Sequence, residues 1–230
     1  MTLVSRRSQF SPSVHAIRHR AYTFVAAILA VFSLVLAGCG WRDFVRGDGR
    51  VEHRIEWKRS IAVGSPSAGR LVRGVRLPSE GTHFFTWDPV KRRSPNRPWR
   101  RYGTDRLVGL VLRIAREYRR ANPRAPRMAV GDLSRPHGGD FGPQFGYIGH
   151  ASHQNGLDVD VYYPRADKRE KAPRDASQID PALSQDLVER FVAAGAQAVY
   201  VGPNTKLTGP PGIVVPLVNH DNHLHVRIAG

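Results

Sequence analysis

Residues 157–161 read Leu-Asp-Val-Asp-Val, and residues 223–228 read His-Leu-His-Val-Arg-Ile. Both segments alternate apolar and polar side chains, the period of a strand with one buried face. Leu157, Val159 and Val161 share one face, with Asp158 and Asp160 on the other. Leu224, Val226 and Ile228 likewise oppose His223, His225 and Arg227. If the two strands lie side by side, Asp160 and His225 converge on the polar face of one sheet. His153 would join them from the turn that Gly156 helps to make. Imidazole and carboxylate are donors that zinc accepts, and a catalytic zinc commonly takes three protein ligands and leaves one position for water.

The wider strings are GHASHQNGLDVD, which holds His150, His153 and Asp160, and HDNHLHVR, which holds His220, His223 and His225. Five of the ten histidines fall in these two short stretches. A single histidine is ordinarily a surface or hydrogen-bonded core residue, but five set around two amphipathic strands favour a metal site. Asp158 reads as a carboxylate that holds a histidine ring or caps the loop, and Asp221 as a turn residue.

Two helices frame these strands. Thr104 or Asp105 caps a segment whose apolar face carries Leu107, Val108, Val111, Ile114, Ala115 and Tyr118, and which stops at Asn122-Pro123. Asp180 caps a second, with Pro181 in its first turn, a stripe of Leu183, Leu187, Val188, Phe191 and Val192, and Gly195 at its end. Further strands are expected at 128–133, 198–201 and 213–218, and residues 88–103, rich in Pro and Arg, read as a surface loop. Strands and helices do not alternate regularly. The expected class is α+β, with a central, largely antiparallel sheet and flanking helices.

The chain has 230 residues, enough for one domain plus a leader, and carries 35 Lys+Arg against 19 Asp+Glu. That excess suits acidic partners. The basic residues are scattered, however, and no nucleic-acid-binding motif accompanies them, so they read as a solvated surface rather than a nucleic-acid interface. The single cysteine, Cys39, excludes an intrachain disulfide and a cysteine-only metal site. It follows a basic stretch with Arg6, Arg7, Arg18 and Arg20, and an apolar run from Ala21 to Gly38. Basic, apolar and then small residues describe an export signal. The ending Leu36-Ala37-Gly38-Cys39 resembles the lipobox of bacterial lipoproteins. That resemblance implies cleavage before Cys39 and lipid on Cys39, with an uncleaved membrane span as the alternative. The expected organisation is a signal over 1–39, a tether over 40–60 and one domain over 61–230.

Ser152, His153, Gly156 and Asp160, followed far downstream by His223 and His225, fit the pattern SxHxxGxxxD…HxH. They resemble the superfamily of lysostaphin, the D-Ala-D-Ala metallopeptidases and the hedgehog N-domain. The longer strings, with His150 and His220, are similar to the penicillin-insensitive murein endopeptidases. The resemblance implies the zinc fold of that superfamily and one zinc ion per chain, held by His153, Asp160 and His225. It further implies that His223 acts as general base or transition-state stabiliser, with His150 and His220 lining the site. The implied substrate is the peptide stem of peptidoglycan, cut at D-alanyl–diaminopimelyl cross-links, and the implied place is the cell envelope, lipid-anchored. Related D-Ala-D-Ala peptidases also make Arg135, in Asp132-Leu133-Ser134-Arg135-Pro136, a candidate for binding a substrate carboxylate. A D-Ala-D-Ala carboxypeptidase or dipeptidase, or a non-catalytic zinc-containing wall-binding lipoprotein, stays open. The oligomeric state is not legible.

Overall fold

The computed structural model describes residues 44–45, 51–52, 55–142 and 150–230. The export signal, Cys39 and most of the tether lie outside the described residues. Two short strands, β1 (Phe44–Val45) and β2 (Val51–Glu52), pair antiparallel. β3 (Ile61–Ser65) and β4 (Ala68–Val72) form a second antiparallel pair, and β5 (Val75–Arg76) makes a third with β7 (Tyr102–Gly103). Between the last two in sequence comes β6 (Phe84–Thr86), an edge of the main sheet.

The main sheet also contains β8 (Met128–Val130), β9 (Asp158–Tyr162), β10 (Ala196–Val201), β11 (Val214–Pro216) and β12 (His223–Ile228). Its order is β11-β10-β12-β9-β8-β6. The outer pairs β10–β11 and β6–β8 are parallel, and the three inner pairings are antiparallel. The class is therefore α+β with a mixed, mostly antiparallel sheet. β9 and β12, the strands singled out from alternation, are neighbours at its centre.

Two helices supply the other half of the core. α1 (Asp105–Ala121) starts where Thr104 Oγ1 accepts from Leu107 N, and α2 (Pro181–Ala193) where Asp180 accepts from Leu183 N. Each side chain satisfies an amide that the first turn leaves without a partner. α1 buries Leu107, Val108, Val111, Ile114, Ala115 and Tyr118, the face expected from spacing, together with Leu110. α2 buries Leu187, Val188 and Phe191. These pack in one core with Val159, Val161, Leu224, Val226 and Ile228, the apolar faces of β9 and β12. Each such side chain contributes about 1.5–3 kcal/mol of burial. A smaller cluster of Phe85, Trp87, Ala129, Tyr162 and Ala172 forms apart from this core. Among the described residues no helix is long and apolar enough to cross a membrane.

Residues 88–103 differ from the surface loop that their composition suggests. A turn of 3-10 helix (Pro98–Arg100) and β7 lie within them, and both Arg100 and Arg101 are buried. Arg101 donates to Leu77 O at 2.6 Å. Burial, with Arg76 nearby, lowers its pKa to about 10. Arg100 is paired with Asp132. Asp105 anchors the chain entering the domain: its carboxylate accepts from Lys58 N, Ser60 N and Ser60 Oγ.

Candidate metal centre

The register of β9 and β12 sets the site. His225 is the direct partner of Asp160, with His223 opposite Tyr162 and Arg227 opposite Asp158. Side chains opposite one another on one face of an antiparallel pair have their Cβ atoms about 4.5–5.5 Å apart. His225 Nδ1 accordingly lies 3.3 Å from Asp160 Oδ1. The strand's other ring, His223, presents Nε2 at 3.8 Å from the same oxygen.

His153 reaches this point from the loop before β9. Its backbone is left-handed, φ 68°, and Gly156 at φ 78° completes the turn. That φ favours glycine, and a Cβ on Gly156 would lie 2.8 Å from Leu71 Cδ1 and 3.2 Å from Thr104 N. Asp158 Oδ2 accepts from His153 N at 3.0 Å and pins the turn. His153 Nδ1 donates to Leu133 O at 2.7 Å, which leaves Nε2 as the bare nitrogen, 3.3 Å from Asp160 Oδ1. Both Nε2 of His153 and Oδ1 of Asp160 are buried and lack a hydrogen-bond partner. Buried polar atoms are normally satisfied, so orphans that converge fit a ligand between them. Donors bound tetrahedrally at about 2.0–2.1 Å stand roughly 3.3–3.4 Å apart, so both 3.3 Å separations suit zinc.

Asp158 does what its place on β9 suggests. It accepts from Arg227 Nε at 2.8 Å and lies 3.3 Å from His225 Nε2, the ring nitrogen away from Asp160. A carboxylate behind a ligating imidazole fixes its tautomer and orientation. Asp221 sits in a turn, where its carboxylate accepts from both the backbone and side chain of Asn204.

The charges are strongly coupled. Burial works against Asp160 ionising, but the rings of His153 and His223 beside it hold its carboxyl well below the usual range. Burial also opposes charge on His225, yet the carboxylates of Asp158 and Asp160, each 3.3 Å from one of its ring nitrogens, raise its pKa to about 9. Burial lowers His153, only partly countered by Asp160. His223 falls to about 4, through burial and through His220, His225 and His150 nearby.

His150 sits closer to the donors than a lining residue needs to. One ligand atom each from His150, His153 and Asp160 lie within 4.8 Å of one another. His150 Nδ1 is 3.8 Å from Asp160 Oδ2, while its Nε2 is 2.7 Å from Asp132 Oδ2. Two donor sets thus share His153 and Asp160, one completed by His225 and the other by His150. His220 stands beside the site: its ring stacks on His223 at 4.8 Å and 30°, and its Nδ1 donates to Val218 O. Arg135, half-buried, donates to Asp140 O at 2.5 Å.

Several residues here belong to neither histidine motif. Tyr200, on β10 opposite His225, holds its ring 5.4 Å from that histidine. Phe141 stands edge-on to His150 at 5.0 Å. Asp132 and Arg100 form a buried pair, Oδ1 to Nε at 2.8 Å and Oδ2 to the guanidinium at 2.7 Å. The strand pattern before Asp132 could have flagged it. Nothing local marks Arg100.

Residues 62–205 match the model of a peptidase family. Its description is penicillin-insensitive murein endopeptidase, and the chain belongs to that family. The match ends before β12, so His223 and His225 are joined to it by structure. Similar curated proteins carry the same description. One from Yersinia enterocolitica serotype O:8 is 24% identical over 89% of this chain and 77% of its own length. Those of Escherichia coli O1:K1 and of strain SMS-3-5 are each 28% identical over 73% of this chain. The chain spans 65% of the length of these Escherichia coli relatives.

Proposed function

We propose that this chain is a zinc-dependent endopeptidase that hydrolyses peptide cross-links of bacterial peptidoglycan, of the D-alanyl–diaminopimelyl type. The observation that carries the reading is the pair of buried, unpartnered atoms, His153 Nε2 and Asp160 Oδ1, with His225 Nδ1 beside them. Membership of the murein endopeptidase family and the names of the relatives supply the substrate class. The superfamily zinc fold expected from the histidine motifs belongs to the same proposal.

His153, Asp160 and His225 would hold one zinc ion per chain. His225 is preferred to His150 as the third ligand because it stands 3.3 Å from Asp160, against 3.8 Å for His150. Bound zinc supplies a Lewis acid that polarises the scissile carbonyl and makes water acidic near pH 7. The chain's own groups do the rest. His223 donates from Nδ1 to Asn222 Oδ1 at 2.6 Å, so Nε2 is the nitrogen that faces Asp160. With its pKa lowered to about 4 the ring is neutral at working pH and Nε2 is bare; a base this weak would hold a proton from the attacking water only briefly before passing it to the leaving amine. His220, stacked on His223, limits that ring's rotation and stands ready to hydrogen-bond the tetrahedral intermediate. His150 supports from the other side. Arg135 is proposed to receive a stem-peptide carboxylate, and Cys39 to carry the lipid that keeps the domain at the envelope.

The test is to purify the chain without residues 1–39, measure zinc and incubate it with cross-linked murein. The expected result is one bound zinc and a falling dimer fraction without release of D-Ala. Release of D-Ala with dimers intact would reassign it as a carboxypeptidase. A metal-free protein, or a His153→Ala variant that digests as well as the wild type, would sink the zinc-hydrolase reading.

A further inference from the structure

Asp132 follows β8, and two backbone bonds fasten it to β9: Gly131 N donates to Asp160 O, and Asp160 N to Asp132 O. The side chain is fully buried and turns toward His150 rather than toward Asp160. Each of its oxygens is committed. Oδ1 accepts from Arg100 Nε at 2.8 Å and Asn96 Nδ2 at 2.9 Å; Oδ2 takes the Arg100 guanidinium at 2.7 Å and His150 Nε2 at 2.7 Å. A carboxylate gripped by the planar fork of an arginine has little freedom to rotate. The arginine is held too, with its guanidinium 4.9 Å from the Trp99 ring and 5.2 Å from that of Phe141. Phe141 in turn stands edge-on to His150 and, at 6.2 Å, to His153.

A neutral histidine that donates its one ring proton to a fixed carboxylate presents its other nitrogen bare. We propose that Asp132, clamped by Arg100, is a positioning residue: it binds the Nε2 proton of His150 and thereby directs the Nδ1 lone pair of His150 into the site beside Asp160. The loop that supplies Arg100 and Asn96 thus belongs to the architecture of the active centre rather than only to the outer coat of the domain. The kinetic part of the proposal rests on the endopeptidase reading; the ring geometry does not.

The experiment uses the full chain in detergent micelles, metal-free and zinc-loaded, with 15N-labelled histidine. In the wild type, long-range 1H–15N spectra on the alkaline side of the His150 titration show the Nε2–H tautomer. Asp132→Asn, close to isosteric, can offer an amide donor to Nε2 and so shifts His150 toward Nδ1–H. Murein digestion by Asp132→Asn loses about 10–100-fold in kcat, the loss usual when a carboxylate behind a site histidine is removed, with KM within about twofold. Arg97→Gln is the control. It breaks the Arg97–Asp88 pair in the same loop, 2.6 Å from Nε to Oδ2, without touching Asp132, and keeps kcat. Should Asp132→Asn fail to fold, Arg100→Lys replaces it. Losing the fork then gives a mixed His150 tautomer and a smaller fall in kcat. An unchanged tautomer, an unchanged kcat in a folded variant, or an equal loss in Arg97→Gln overturns the proposal. If the wild type cleaves no murein, the endopeptidase reading fails, and the tautomer spectra still decide the role of Asp132.

Discussion

His225 and Asp160 face each other across β12 and β9 as register partners, with Nδ1 of one 3.3 Å from Oδ1 of the other. Their closeness is a property of the backbone ladder rather than of a flexible loop.

Loss of metal should therefore follow position in the ladder. Asp160→Ala removes a donor, and the protein is expected to retain no stoichiometric zinc after dialysis. Asp158→Asn removes no donor residue but loosens the grip on His225 Nε2 and on the turn that carries His153, so affinity should fall about 10–100-fold. Competition with a fluorescent chelator measures both. Equal losses in the two variants would contradict the assignment.

Acid and base should act on the metal-free protein in a defined direction. His225 is raised to about 9 by Asp158 and Asp160 against the cost of burial. A histidine raised above its unfolded value, about 6.5, contributes stability below that pH and loses it as pH rises through about 9. The melting temperature of metal-free protein should decline between these limits, and His225→Gln should flatten the decline. Since a metal takes the neutral ring, zinc loading at pH 7.5 should release protons, and fewer in His225→Gln. Calorimetry in buffers of different ionisation enthalpy reads that release.

His223→Ala should separate binding from chemistry. Zinc content is expected to stay at one per chain while kcat on murein drops by about 100- to 10,000-fold, the usual range for a lost proton-transfer group. His220→Ala, which removes only the stacked neighbour, should cost less. A His223→Ala enzyme with wild-type kcat would remove His223 from the proton path.

At the amino-terminal side, metabolic labelling with a fatty-acid analogue should mark the wild type and leave Cys39→Ser unlabelled. Equal labelling of both would exclude Cys39 as the lipid attachment point.

The alternation in 157–161 and 223–228 made the site legible because a pleated strand sends neighbouring side chains to opposite faces, and here one face is wholly apolar. The cap residues Thr104 and Asp180 placed both helices for an equally local reason. β6 escaped notice because its three residues are too few to show a period. The Arg100–Asp132 pair escaped because its members lie 32 residues apart, and no local pattern records such a contact. His150 looked peripheral for the same reason. Its nearness to the donors depends on where Asp132 holds it.

The order of β9 and β12 along the chain gives the site a history. Of the donors around Asp160, His150 and His153 are synthesised in the same stretch, and His225 arrives with the later strand. Until β12 inserts between β9 and β10, the ladder partner of Asp160 is missing and the apolar face of β9 lacks its neighbour. The pairing that fills the centre of the sheet is the same pairing that brings His225 to Asp160. A chain that stops short of β12 would keep His150, His153 and Asp160 but lack the strand that brings His225 to them.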